Sequence, residues 1–202
     1  FCAFKRGLKH DVKVAQLAGY ISEHAAYHHG EVSLQGTIVA MAQSFVGSNN
    51  INMLYPSGQF GSRLQGGKDA ASPRYIFTRL DEATPYIFPD SDFGILKYLD
   101  DDGFPVEPIY YGPIIPMLLV NGSKGIGTGF STDIMCYNPS DLIALIRYHL
   151  NHKASDEKPT LTPYYEGFKG NIEKLEEKKY LITGVYTKTA PDKIKITELP
   201  IG

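Results

Sequence analysis

Val14, Leu17, Ala18 and Ile21 fall at i, i+3, i+4 and i+7, the spacing of one apolar helical stripe. Leu34, Ile38, Met41, Ala42 and Phe45 repeat that pattern after a break at His28-His29-Gly30. Two helices joined through a glycine-containing corner are compatible with a helix-turn-helix. A polar, glycine-rich stretch from Gly47 to Ser72 follows, and so long a loop inside a domain is usually functional or disordered. It ends at Pro73-Arg74-Tyr75-Ile76-Phe77-Thr78, a β-prone run. Helix, turn, helix and a glycine-rich β wing is the order of a winged-helix domain. From about residue 95 the pattern changes to short strands, predicted at Ile95–Leu99, Val106–Tyr111, Pro116–Val120, Tyr180–Tyr186 and Lys193–Glu198. One helix from about Pro139 to Leu150 interrupts them, with Asn138 as N-cap and Pro139 at the first helical position. Asp100-Asp101-Asp102-Gly103 reads as a hairpin turn, and the polar residues 151–160 read as a boundary. The expected fold class is α+β: a winged-helix domain over residues 1–100, then a β-rich domain over 101–202.

Charge alters this picture only when the chain is divided. The net charge is −2, whereas a nucleic-acid-binding surface is normally basic. Residues 1–79, however, carry eight Lys/Arg (Lys5, Arg6, Lys9, Lys13, Arg63, Lys68, Arg74, Arg79) against four acids (Asp11, Glu23, Glu31, Asp69). Four of the six histidines fall there too. The first segment could face phosphates; the acidic remainder could not do so as a whole. No apolar run approaches the roughly 18 residues of a membrane span, and residues 1–9 lack the apolar region of a secretion signal. Cys2 and Cys136 form neither a disulfide framework nor a metal-ligand cluster, which fits a reducing compartment. Beginning at Phe1 and ending at Gly202, the sequence reads as a piece of a longer protein.

Several residues could carry chemistry. Phosphodiester transfer onto a protein needs a nucleophilic oxygen and a cation for the non-bridging oxygens, and Tyr75 beside Arg74 offers both. Adjacent side chains in a strand point to opposite faces, so the two converge only if the backbone bends, and Pro73 could supply that bend. The competing reading of Tyr75 is a half-buried strand residue. His28-His29 could donate to a phosphate or a leaving 3′-hydroxyl, or could be a helix corner with one ring packed and one solvated. Neither has a ligand-spaced Cys or carboxylate cluster nearby, so no metal site is expected in the chain. Asn121 to Gly129 (NGSKGIGTG) invites a nucleotide-binding reading but lacks the strand–turn–helix context. It is either a tight glycine turn or a backbone held close to phosphates, with Ile126 as an apolar wedge. The run Glu173, Lys174, Glu176, Glu177, Lys178, Lys179 reads as a solvated helical or turn face, and Asp100 to Asp102 as turn residues rather than Mg²⁺ ligands.

Taken in order, the runs 12–19 (VKVAQLAG), 27–31 (YHHGE), 45–50 (FVGSNN), 58–69 (GQFGSRLQGGKD) and 71–78 (ASPRYIFT) resemble eukaryotic-type topoisomerase II, a type IIA DNA topoisomerase. So do 114–117 (IIPM), 125–129 (GIGTG), 168–170 (FKG) and 196–200 (ITELP). The resemblance implies an ATP-dependent enzyme that breaks and rejoins DNA so that a second duplex can pass. It implies Tyr75 as the nucleophile forming a 5′-phosphotyrosyl link, Arg74 stabilising the phosphate, and His29 assisting at the scissile region with His28 beside it. Ile126 would insert into the DNA, while Lys5, Arg6, Lys9, Lys13, Arg63 and Lys68 join the DNA-binding set. Double-stranded DNA and a second copy of the enzyme are the implied partners, with no membrane. Mg²⁺ and ATP would be bound by parts outside these residues, and the second domain would be the β-rich tower. The location would be the nucleus in a cell, or host cytoplasm or a virus factory for a viral copy. Phe130 stands where the family usually has Trp, Tyr55 where Gln is common, and Val32 and Gly36 where larger Met or Gln residues lie near the site of cleavage-trapping drugs. These departures imply a divergent copy, such as one carried by a large DNA virus, with altered drug sensitivity. The rival function is a non-enzymatic winged-helix reader whose second helix enters the major groove; a nucleotide-binding α/β enzyme is a more distant reading.

Overall fold

The computed structural model describes residues 1–151, 157–177 and 179–201. The chain forms two compact units, Phe1–Pro116 and Met117–Gly202.

In the first unit a one-turn helix α1 (Cys2–Lys5) and a short strand β1 (Val12–Lys13) lead into α2 (Val14–His24) and α3 (Glu31–Ala42). Val14, Leu17 and Ala18 of α2 and Leu34, Ile38 and Ala42 of α3 are buried against one another, as their spacing predicts. Each fully buried Leu or Ile side chain stabilises the fold by roughly 1.5–3 kcal/mol. Phe45 lies beyond the end of α3, where the chain needs partners for the helix's last carbonyls. Asn49 Nδ2 donates to the carbonyls of Ala40 (2.7 Å) and Gln43 (2.9 Å), and Asn52 Nδ2 to that of Ala42 (2.9 Å). The Met53 N–H takes the carbonyl of Met41 (3.2 Å).

Strands β2 (Leu54–Ser57) and β3 (Phe77–Leu80) pair antiparallel, and β1 adds to the other edge of β3, giving the order β1-β3-β2. Residues 58–76 connect β2 to β3. Leu54, Phe60 and Ile76 bring sheet and loop onto the helical core. Thr78, fully buried, donates its hydroxyl to the Tyr55 carbonyl at 2.8 Å, so its burial leaves no unpaired donor. After α4 (Thr84–Ile87) and a 3₁₀ stretch, the hairpin β4 (Tyr98–Asp101) and β5 (Phe104–Pro108) follows. Its turn is the one expected: Asp102 and Gly103 have φ of 51° and 85°, and Asp100 Oδ1 accepts from the Gly103 N–H at 2.9 Å. Tyr98 and Tyr111 pack with Phe1 (5.9 and 5.7 Å between ring centroids), and Phe88 stacks on Tyr111 at 4.5 Å. Residues up to 116 therefore belong with the first compact unit, beyond the boundary near residue 100 that the sequence suggests. The expected strands also shift: Ile95 ends the 3₁₀ stretch, and β5 stops at Pro108 rather than reaching Tyr111.

The second unit opens with α5 (Met117–Asn121), where a strand over Pro116–Val120 was predicted. A short apolar run does not distinguish helix from strand by periodicity. Here Val120 is buried, Leu118 is exposed, and Gly122 at φ 70° stops the helix. Strands β6 (Ser123–Gly127) and β7 (Phe130–Ile134) form a hairpin, then α6 (Pro139–Asn151) buries Leu142. Asn138 caps α6 as predicted, its Oδ1 accepting the Ser140 N–H at 2.9 Å. Two further hairpins follow: β8 (Asn171–Glu176) with β9 (Lys179–Thr183), and β10 (Val185–Ala190) with β11 (Lys193–Glu198). The expected strand Tyr180–Tyr186 is thus broken at Gly184, where a Cβ would lie 2.2 Å from the Glu198 carbonyl oxygen. In the charge run read as a helical or turn face, Glu173, Lys174 and Glu176 lie in strand β8 and Lys179 opens β9; Lys178 and half of the 151–160 boundary (152–156) lie outside the described residues.

Candidate active site

The glycine-rich loop is folded, and its folding decides where Tyr75 stands. Gln43, just past α3, reaches across to it: Nε2 donates to the carbonyls of Phe60 (2.9 Å) and Gly67 (3.3 Å). The Ser62 N–H donates to Asp69 Oδ1 at 2.8 Å, and Gln59 Nε2 to Asp69 Oδ2 at 3.3 Å. Hydrogen bonds from Ser62, its backbone N–H first and its side chain second, hold the Asp69 carboxyl below the usual carboxylate range. Gly61 and Gly67 cross so closely that a Cβ on Gly61 would lie 2.6 Å from the Gly67 Cα. Arg63 is half-buried and Lys68 exposed on this loop.

Where the loop returns to the sheet, Tyr75 does not lie in a strand. The Tyr75 N–H donates to the Ser72 carbonyl (2.8 Å), closing a turn with Pro73 at its second position, the place where a fixed φ favours it. The expected bend is therefore a turn, and β3 begins only at Phe77. Two backbone bonds fix this turn to α2: the Ala15 N–H donates to Pro73 O (3.1 Å) and the Val14 N–H to Ile76 O (3.0 Å). These are the first donors of α2, which its own helix cannot satisfy, and α2 has no side-chain cap. Ile76 is buried beneath, so Tyr75 is held on both sides while its own side chain is 70% exposed. That exposure sets aside the half-buried strand reading. The Arg74 guanidinium carbon is 5.7 Å from the Tyr75 ring centroid, and its Nε donates to Ser72 Oγ at 3.3 Å.

His28 and His29 are both exposed at the corner before α3, so neither is packed into the core. Tyr27 meets the His29 ring edge-on at 5.5 Å. Among the described residues neither histidine hydrogen-bonds to Arg74 or Tyr75. Lys5, Arg6, Lys9 and Lys13 are exposed. The Arg6 guanidinium sits 5.0 Å from the Tyr20 ring, which stacks on His24 at 3.9 Å. Arg79, counted with the basic residues, is tied to Asp11 (2.7 Å) and lies 3.8 Å over Tyr55, so it already has partners within the chain. Among the described residues no three His, Cys, Asp or Glu side chains group so as to hold a metal ion.

In the second unit the glycine motif 125–129 lies in the β6–β7 hairpin, with Gly129 at φ 79° in its turn. No helix follows the motif directly, so the nucleotide-binding reading lacks its frame. Ile126, paired across the hairpin with Ser131, is 95% exposed.

A family model for the A-type polypeptide of DNA gyrase/topoisomerase IV matches residues 1–202. The chain belongs to that family. Within it, the chain is similar to DNA topoisomerase 2 of Arabidopsis thaliana, 52% identical over 205 residues, and to that of Bombyx mori, 54% over 203; each match covers all of the chain. It spans 14% and 13% of the length of those relatives. A crystal structure of the Plasmodium falciparum topoisomerase II DNA-binding, cleavage and re-ligation domain superposes with a TM-score of 0.94 at 53% identity, covering all of this chain and 27% of that one. Sequence reasoning for this topoisomerase-family chain missed Gln43, Asn49, Asn52 and Asp69, which shape the loop and the end of α3. The available signal was polar amides directly after an apolar helix, where unpaired carbonyls need donors.

Proposed function

We propose that this chain is the DNA-cleaving part of a type II DNA topoisomerase and that Tyr75 is its nucleophile. The observation that carries the reading is an exposed phenol held on a rigid turn beside a guanidinium, in a chain about half identical to DNA topoisomerase 2 along its whole length. The Tyr75 oxygen, having given up its proton, attacks the phosphorus. The bond to the 3′ oxygen breaks, and the leaving 3′-hydroxyl takes up a proton. The 5′ side of the break stays esterified to the tyrosine, and the reverse attack reseals the strand. Arg74 faces the non-bridging oxygens, where negative charge is concentrated. His29, with His28 beside it, meets the phosphate or the leaving hydroxyl, so that bound DNA joins the histidine corner to the tyrosine turn. Lys5, Arg6, Lys9, Lys13, Arg63 and Lys68 contact backbone phosphates, and Ile126 inserts between bases.

Among the described residues no three His, Cys, Asp or Glu side chains group so as to hold a metal ion. Mg²⁺ and ATP are assigned to parts of the enzyme outside this chain, double-stranded DNA is the substrate, and the working unit is a homodimer. No helix among the described residues is long and apolar enough to cross a membrane. We assign a nuclear location for a cellular enzyme and host cytoplasm or a virus factory for a viral one.

The test is Tyr75→Phe in the full-length enzyme, with covalent protein–DNA complexes trapped by denaturant in the presence of Mg²⁺. Wild type should form them, and the variant should bind DNA normally and form none. Adducts on the variant would refute Tyr75 as nucleophile. DNA binding without adducts in wild type would leave a non-enzymatic reader instead.

A further inference from the structure

The loop that carries Arg63 and Lys68 also carries a leucine that the core leaves out. Leu64 lies in the 3₁₀ turn Arg63–Gln65 and is 86% exposed, although Phe60 and Ile76 near the two ends of the same loop are buried. A leucine on a mobile loop would fold back onto apolar neighbours. This turn cannot do so. The Gly67 N–H holds Ser62 O at 2.9 Å, the Gly66 N–H holds Arg63 O at 3.1 Å, and Gln43 and Asp69 fix both sides of the loop. Leu64 is thereby presented outward by a rigid backbone. Arg63 and Lys68 outnumber the one carboxylate of this stretch, Asp69, whose two oxygens are turned to donors within the loop, at Ser62 N–H and Gln59 Nε2.

We propose that Leu64 is an apolar contact to duplex DNA, set against sugar faces in the minor groove while Arg63 and Lys68 meet the phosphates on either side. A duplex supplies both partners at once: apolar deoxyribose walls, and anionic rims about 6 Å apart. The proposal rests on the DNA-cleavage reading above and names a further contact for the same substrate.

The experiment uses the full-length enzyme carrying Tyr75→Phe, so that DNA binding is read without cleavage. Into it are placed Leu64→Ala, Leu64→Met and Leu64→Glu. Affinity for a duplex is measured over a salt series, bending by energy transfer between end labels, and self-association by sedimentation without DNA. Leu64→Ala should bind about tenfold more weakly. The salt slope should stay unchanged, because no cation is removed. Leu64→Met should recover to within about twofold, since it refills the same apolar volume. Leu64→Glu should weaken binding further than Leu64→Ala and reduce bending. Its melting temperature should match the parent, because the side chain is outside the core. The proposal is overturned if Leu64→Glu binds and bends DNA like the parent. It is equally overturned if that variant disrupts self-association without DNA while affinity per dimer is kept, since Leu64 would then face a second copy of the enzyme. The cleavage reading is tested separately by adduct formation in the enzyme with Tyr75 intact, so the two can fail independently.

Discussion

Gly61→Ala drives a methyl group into the backbone of Gly67. At the native position the new Cβ would lie 2.6 Å from the Gly67 Cα and carbonyl oxygen, against about 3.5 Å for an ordinary contact, so the crossing must open by roughly 1 Å. That movement breaks the Gly67 N–H bond to Ser62 O (2.9 Å) and the already long Gln43 bond to Gly67 O (3.3 Å). Two such bonds are worth about 1 kcal/mol each. Alanine at φ 104° adds strain on the order of 1–2 kcal/mol. The loop should therefore lose about 3 kcal/mol of local stability, which is roughly a hundredfold in its opening equilibrium. Gly66→Ala is the matched control. Gly66 also has positive φ (57°), but nothing lies within 4 Å of its added Cβ, so only about 1 kcal/mol of strain is expected. Hydrogen exchange at the 59–71 amides of the full-length enzyme reads the difference directly, and DNA cleavage should fall with it in Gly61→Ala alone. Equal exchange rates in the two variants would refute the argument that the crossing holds the loop.

Two further substitutions probe features away from the loop. Asn138→Ala removes the side chain that caps the 13-residue helix α6 and should cost about 1 kcal/mol, read as a lower unfolding midpoint; Asn138→Asp should retain most of the stability. Asp11 is held below the usual carboxylate range by hydrogen bonds from Ser57 and then Arg79. Its contribution is therefore present above the unfolded value near 3.9 and lost as pH falls through the lower folded value. Because the pair is solvated, Asp11→Asn should cause only a small loss at neutral pH, shrinking with added salt and vanishing in acid. A loss that persisted unchanged at pH 2 would contradict that origin.

The two helices are legible because their apolar spacing is strict, and most of those residues form the core; Met41 of the second stripe is exposed and Phe45 lies beyond its helix. The Asp100–Gly103 turn and the Asn138 cap were legible because each depends on side chains adjacent in sequence. The loop between β2 and β3 was visible only as a length of glycine and polar residues. Its order comes from Gln43, which bonds across 17 and 24 positions, a pairing that no local pattern encodes. In the β-prone run 73–78 the bend at Pro73 is legible, but not its form: Ser72-Pro73 starts a turn, and the strand begins only at Phe77. Helix α5 is not legible as a helix because so short an apolar run carries no usable period. The chemistry at Tyr75 and Arg74 was suggested by their adjacency; its geometry required the turn.

The bonds from Val14 and Ala15 to the segment around Tyr75 have a mechanical meaning. If a DNA strand is esterified to that phenol, any tension on the strand enters the protein at Tyr75. The backbone there has no slack, since Pro73 and Ile76 are both tied to the start of α2 and Ile76 is seated in the core. The pull is divided at once between a helix end and packed apolar side chains instead of stretching a free arm. The severed end should therefore stay within a side chain's reach of this unit's core and travel with it wherever the unit moves.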